Sequence, residues 1–265
     1  MGNVSSVELN GTAIAFTDSG PAGDAPTVVF SHGLLMDHTM FDPQVAAFAG
    51  RHRVIAWDER AHGGTRAPGP FSYWDSADDL WALLDHLGVE RAVLAGMSQG
   101  GFVSLRAALT RPERVRGLIL MGSQAGVEEA EKQASYDLLH EVWMSQGPAP
   151  VQEVVGSIIL GEGDWGHWYA TWAEWAAAYP GEFTHAFRCL SDRDDITGRL
   201  GEITCPALVI HGTADAAIPM DRAEQMVAGL GGSVAMVRVD GGTHAVNLTH
   251  PEPVNEAIAA FLAAL

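Results

Sequence analysis

Cysteine is scarce in this 265-residue chain. Cys189 and Cys205 are too few for the disulfide framework of a small secreted domain, and their surroundings show no metal or redox spacing. Basic residues are also few: 15 Lys and Arg stand against 33 Asp and Glu, a formal charge of −18. Nowhere do they cluster enough to neutralise a run of phosphates, so neither nucleic acid nor an anionic membrane surface is an expected partner. No apolar run approaches the roughly 18 residues that a bilayer span needs. The N-terminus lacks the basic and apolar regions of an export signal, so the expected location is cytoplasmic. Met1-Gly2 with Ser6 fits the loose myristoylation pattern, but no polybasic stretch follows to make one acyl chain an effective anchor. The eleven histidines form no H-E-x-x-H pair, and both a P-loop and a dinucleotide fingerprint are missing. No metal and no cofactor is therefore expected. Nothing in the sequence sets an oligomeric state.

What is present is a pattern of short apolar runs separated by helical ones. Val4 to Thr17 reads as a hairpin about Asn10-Gly11, a dipeptide suited to the positive φ angles of a tight turn. Then come Thr27–Ser31, Val54–Trp57, Ala92–Gly96, Val115–Met121, Ala207–His211 and Val234–Val239, most without polar alternation, as expected of strands buried on both faces. Between them, helical periodicity covers Met40–Ala49, Asp75–Leu87, Ser98–Thr110, Asp221–Leu230 and Glu252–Leu265. Strands alternating with helices predict an α/β fold with a largely parallel sheet. The rhythm breaks from about Gln124 to Asp195, where five of the eight tryptophans fall and no buried strand is visible. That stretch reads as a helical cap, which divides the chain into a core at 1–123, the cap at 124–196 and the rest of the core at 197–265.

Chemistry concentrates where strands end. Gly96-Met97-Ser98-Gln99-Gly100 lies between a buried strand and a helix. In that context a G-x-S-x-G pattern makes a sharp turn that lifts the serine hydroxyl above the sheet, with glycines where a Cβ would strike backbone. A serine hydroxyl is a weak nucleophile and needs a base oriented by a buried acid. Asp215 follows the strand at 207–211 and His244 follows the strand at 234–239, so both fall on loops at carboxyl ends of parallel strands, where open α/β sheets assemble their sites. The order Ser, Asp, His is the one this architecture uses.

With these motifs the chain resembles the α/β-hydrolase fold family over essentially its whole length. The likeness is most specific at Ser31-His32-Gly33, Asp58–Gly63, Gly96–Gly100, Gly212–Asp215 and the His244 segment. It implies an eight-stranded, mostly parallel sheet, a cap inserted after the sixth strand, and a triad of Ser98, Asp215 and His244. Ala61 departs from a usual glycine and Thr65 stands near a usual serine, so the backbone of the 58–65 loop is expected to differ. The sixth strand ends Met121-Gly122-Ser123-Gln124, without the carboxylate that some members carry there. The backbone N–H groups of Leu34 and Gln99 are the expected oxyanion hole, with His32 bracing that turn and His62 ordering the 58–65 loop.

The implied activity is hydrolysis of a carboxylic ester or lactone, the nearest likeness being to small esterases and enol-lactonases. Carbon–carbon bond hydrolysis of a ring-cleavage product stays open, as does a non-catalytic ligand-binding protein on the same fold. Trp165, Trp168, Trp172, Trp175 and Tyr179 step along one helical face that either docks the cap or, with Trp143 or Met36, roofs a pocket over Ser98. Met36, Trp143, Trp168 and Trp172 are the candidate pocket residues, and a small uncharged or hydrophobic ester or lactone is the expected substrate.

Overall fold

The computed structural model describes residues 3–265, so the Met1-Gly2 pattern lies outside the described residues. Eight strands form one sheet in the order β1-β2-β4-β3-β5-β6-β7-β8. Strands β1 (Ser5–Leu9) and β2 (Thr12–Asp18) make the hairpin, turning on Asn10 and Gly11, both at positive φ. β2 also runs antiparallel to β4 (Val54–Trp57). The remaining pairs, among β4, β3 (Thr27–Ser31), β5 (Ala92–Met97), β6 (Val115–Met121), β7 (Ala207–Gly212) and β8 (Val234–Val239), are parallel.

The continuous apolar runs have a direct cause. In β6, Leu118 and Leu120 enter one core while Ile119 and Met121 enter the other, and β7 splits Ala207 and Val209 from Leu208 and Ile210 in the same way. With apolar layers on both faces, period-two polarity has no place. β8 differs, because it ends the sheet: only Val239 of its six residues is buried, so the expectation of burial on both faces fails there.

Helices α1 (Asp42–Phe48), α2 (Tyr73–His86) and α3 (Gln99–Thr110) follow β3, β4 and β5. α2 begins two residues before the periodicity suggests because Ser72 and Asp75 form a capping box, which satisfies amides at its first turn. Between β6 and β7 four helices come in succession: α4 (Ala130–Gln146), α5 (Gln152–Leu160), α6 (Gly166–Ala178) and α7 (Glu182–Ser191). α8 (Met220–Gly229), the short α9 (Val246–Thr249) and α10 (Pro251–Ala263) complete the chain. Among the described residues no helix is long and apolar enough to cross a membrane.

Candidate active site

Ser98 occupies the turn from β5 into α3 at φ 51° and ψ −112°, a conformation that a side-chain-bearing residue holds only when its surroundings enforce it. They do so here from both sides. The Ser98 N–H donates to the Met121 carbonyl at 2.9 Å, and the Ser123 hydroxyl donates to the Ser98 carbonyl at 2.9 Å. A Cβ on Gly96 would run into the backbone of Gly100, and one on Gly100 into the Ser31 carbonyl, which is why both positions are glycine.

Asp215 is almost wholly buried on the loop after β7. Its Oδ1 accepts from the N–H groups of Ala217 and Ile218, both at 2.8 Å, and its Oδ2 lies 2.9 Å from His244 Nδ1. Burial alone would raise this carboxyl; the charge and hydrogen bond of His244, with the Ile218 amide, outweigh that and hold it below the usual carboxylate range. An ionised Asp215 keeps the proton of a neutral imidazole on Nδ1 and leaves Nε2 as acceptor. Gly122, at the end of β6, sits against this pair at positive φ, where a Cβ would run into the His244 carbonyl, so the position requires glycine.

The turn Gly33–Met36 closes with a hydrogen bond from Met36 N–H to Gly33 C=O at 3.1 Å. Of its central residues only Leu35 has positive φ, 62°, the mark of a type II turn with leucine where glycine is usual. Gly33 N–H donates to Met40 Sδ and Leu35 N–H to His62 Nε2. The intervening Leu34 N–H and the first amide of α3, that of Gln99, donate to no other group among the described residues.

Two histidines hold this turn in place. His32 donates through Nδ1 to the Gly33 carbonyl and accepts the Glu59 N–H at Nε2; His62 donates through Nδ1 to the Arg60 carbonyl and accepts the Leu35 N–H at Nε2. Each imidazole therefore needs one protonated and one bare nitrogen. Burial lowers both, His62 to about 3, which favours the neutral form these bonds require. His62 thus does more than order its own loop: it reaches across to the turn after β3. In the 58–65 loop Ala61 adopts φ 64°, a left-handed conformation that a residue with a Cβ holds at some cost. Thr65 Oγ1 accepts the Ala15 N–H at 2.9 Å.

Glu59 in this loop is buried, and neither carboxylate oxygen has a hydrogen-bond partner among the described residues. Burial, with the charge of Asp79, pushes its carboxyl well above the ordinary range. The unfolded chain ionises Glu59 above about pH 4.3, whereas the folded chain keeps the proton, so the residue subtracts more stability as pH rises. Glu59→Gln is expected to gain stability relative to the wild type as pH rises from 4 to 7, its unfolding free-energy advantage widening by at most about 1.4 kcal/mol per unit and its Tm rising with it. A difference independent of pH in urea unfolding would contradict this.

Ser98, His244, Gly33 and Leu34 open onto one cavity of about 840 Å³, counting its mouth. Its other walls come from α4, α5 and α7. Trp143 is among them, but Met36, Trp168 and Trp172 are not, which corrects three of the four candidate pocket residues. Met36 packs into the lower core beneath the turn, and Trp168 is buried within the same core. Trp172 donates its indole N–H to the Leu35 carbonyl at 2.7 Å, so its ring edge is engaged with backbone. The tryptophan stripe of α6 therefore docks the helix, Trp175 resting edge-on against His62 at 6.1 Å. Among the residues that do line the cavity, Tyr136, Leu139, His140 and Trp143 on α4 and Phe183, Phe187 and Leu190 on α7 repeat at three- and four-residue steps, a periodicity present in the sequence but less conspicuous than the tryptophan stripe.

A mostly parallel sheet covered on both faces, with a strained serine above it and a buried His–Asp pair beside it, defines a class of α/β hydrolases. A sequence profile of the alpha/beta hydrolase fold matches residues 26–157, and one described as TAP-like protein matches residues 189–264. A Variovorax paradoxus protein assigned as the carbamate hydrolase RutD is 32% identical, over 92% of this chain and 94% of its own. 3-Oxoadipate enol-lactonase 1 of Acinetobacter baylyi is 25% identical over 95% of this chain and 94% of its own. The crystal structure of a thermophilic esterase from Thermogutta terrifontis superposes with a TM-score of 0.84 at 27% identity, covering 98% of this chain and 97% of that one. The chain belongs to the α/β-hydrolase fold family, and these relatives are hydrolases.

Proposed function

We propose that this protein is a serine hydrolase that cleaves uncharged, apolar carboxylic esters or lactones. The observation that carries the reading is the convergence of the strained Ser98 and the Asp215-bound His244 on one cavity. Ser98 Oγ attacks the carbonyl while His244 Nε2 takes its proton and returns it to the leaving alcohol. Asp215 holds the tautomer and stabilises the imidazolium. The free amides of Leu34 and Gln99 meet the oxyanion. Water then repeats the sequence on the acyl-enzyme, with Ser98 as leaving group. In this reading residues 124–196 act as a cap over the site.

Charge argues the substrate class. Among the described residues the only acidic or basic side chain besides the histidines on the cavity wall is Glu128, and its carboxylate is bound by Arg193 and Lys132 and accepts from the Gln124 amide. No free cation stands there to receive a substrate carboxylate, so burying one would cost several kcal/mol. A neutral p-nitrophenyl butyrate should therefore exceed the p-nitrophenyl hemisuccinate of similar size by at least about tenfold in kcat/KM. Carbamate and dienone substrates in the same panel test the two nearest chemistries; faster turnover of the anionic ester than the neutral one would refute the proposed class.

Size selection rests on a partition. Leu35, Trp143 and Phe183 border both this cavity and a second one toward Arg66 and Tyr179, and the rings of Trp143 and Phe183 lie 4.7 Å apart. Phe183→Ala removes part of that wall. The expected result is a shift of about tenfold in kcat/KM toward octanoate over acetate esters, and an unchanged chain-length profile would show that the wall does not limit the substrate.

A further inference from the structure

The Leu35 residue is held from two directions by parts of the chain far apart in sequence. Its N–H donates to His62 Nε2 at 3.1 Å, from the loop after β4, and its carbonyl accepts from Trp172 Nε1 at 2.7 Å, from α6. Both partners are buried, and Leu35 carries the strained φ of 62° in the type II turn. Rotating the Leu34–Leu35 peptide would relax the strain by giving a type I turn, but it would aim the Leu34 carbonyl at the bare Nε2 of His62. The His62 bond therefore selects the strained form over the relaxed one, and the Trp172 bond fixes the following Leu35–Met36 peptide, so the turn is held on both sides of the Leu35 Cα. Leu34, whose N–H is left free, adjoins the clamped residue directly.

Resting on the serine-hydrolase reading above, we propose that His62 and Trp172 are positioning residues that clamp Leu35 and thereby preorganise the Leu34 amide as oxyanion donor. The clamp makes the seating of α6 a condition for a competent oxyanion hole. A helix bearing no side chain in the substrate cavity would then control the transition state and leave substrate binding alone. A preorganised donor acts only on charge that develops in the transition state, so its displacement lowers kcat rather than raising KM. The indole N–H of Trp172 is distinctive here, because the buried indole nitrogens of Trp165 and Trp168 have no partner among the described residues.

The test compares Trp172→Phe, His62→Leu, His62→Gln, Trp165→Phe and Ser98→Ala in the full-length protein, measuring kcat, KM, Tm and inhibition by an aryl trifluoromethyl ketone. Trp172→Phe and His62→Leu should each lower kcat by tenfold to a hundredfold, on the order expected for a displaced oxyanion donor. They should weaken the ketone by the same factor and leave KM within about twofold. His62→Gln, which restores an acceptor, should recover most of the loss, and the double variant should lose less than the product of the singles because both release one turn. Trp165→Phe, the deletion of an unpartnered indole N–H at the start of the same helix, controls for packing. Unchanged kcat and ketone affinity in Trp172→Phe and His62→Leu would overturn the clamp. So would losses that follow Tm alone and fall equally on Trp165→Phe. Activity retained by Ser98→Ala would instead overturn the serine-hydrolase reading beneath it.

Discussion

Ser98→Ala should reduce ester hydrolysis by roughly 10⁶-fold in kcat, the loss seen when the nucleophile of a serine protease is removed. The fold should be untouched, because the bonds that hold the turn run through the Ser98 backbone, from Met121 and Ser123, and not through its hydroxyl. A fluorophosphonate should label wild type once, at Ser98, and leave the alanine variant unlabelled. Strain supplies a second readout. At φ 51° a glycine relaxes what serine must endure, so Ser98→Gly should be inactive yet melt above the wild type. Full activity in Ser98→Ala would end the serine-hydrolase reading.

Asp215→Asn should cost about 10⁴ in kcat, as an asparagine at the acid position does in serine proteases by favouring the wrong imidazole tautomer. The pH profile carries the same logic. A general base must be neutral to accept the Ser98 proton, so kcat/KM is expected to fall toward acid pH. Asp215, held below the usual carboxylate range, should not be the group responsible. An identical acid limb in the residual activity of His244→Ala would assign it to a group other than the proposed base.

The strands were legible because each central one is buried on both faces, which compresses it into a short apolar run with glycine or a polar turn at its end. Ser98 and Asp215 could be singled out for the same reason, Ser98 directly after such a run and Asp215 on the loop after one, whereas His244 was read from the loop after the less regular 234–239 strand. Val234–Val239 reads less well, since an edge strand keeps one side in solvent. The start of α2 was displaced by its capping box, whose serine lies outside the apolar repeat.

Helix orientation was not legible. The α6 stripe of tryptophans shows which face is apolar, but apolarity does not say whether that face meets a cavity or a core. It meets the core and the Leu35 carbonyl, and the cavity falls instead to α4 and α7, whose aromatic residues are more widely scattered among polar ones.

The amino-acid sequence by itself determined the class of fold and pointed to the candidate residues of the site, because strand burial and the strand-to-helix serine turn are local patterns written in consecutive residues. The tertiary structure alone decided which aromatic groups wall the cavity, that Glu59 is buried with no hydrogen-bond partner among the described residues, and that His62 and Trp172 meet at Leu35. Those facts depend on contacts across 27 and 137 residues of chain, and such contacts leave no periodicity in the sequence from which to read them.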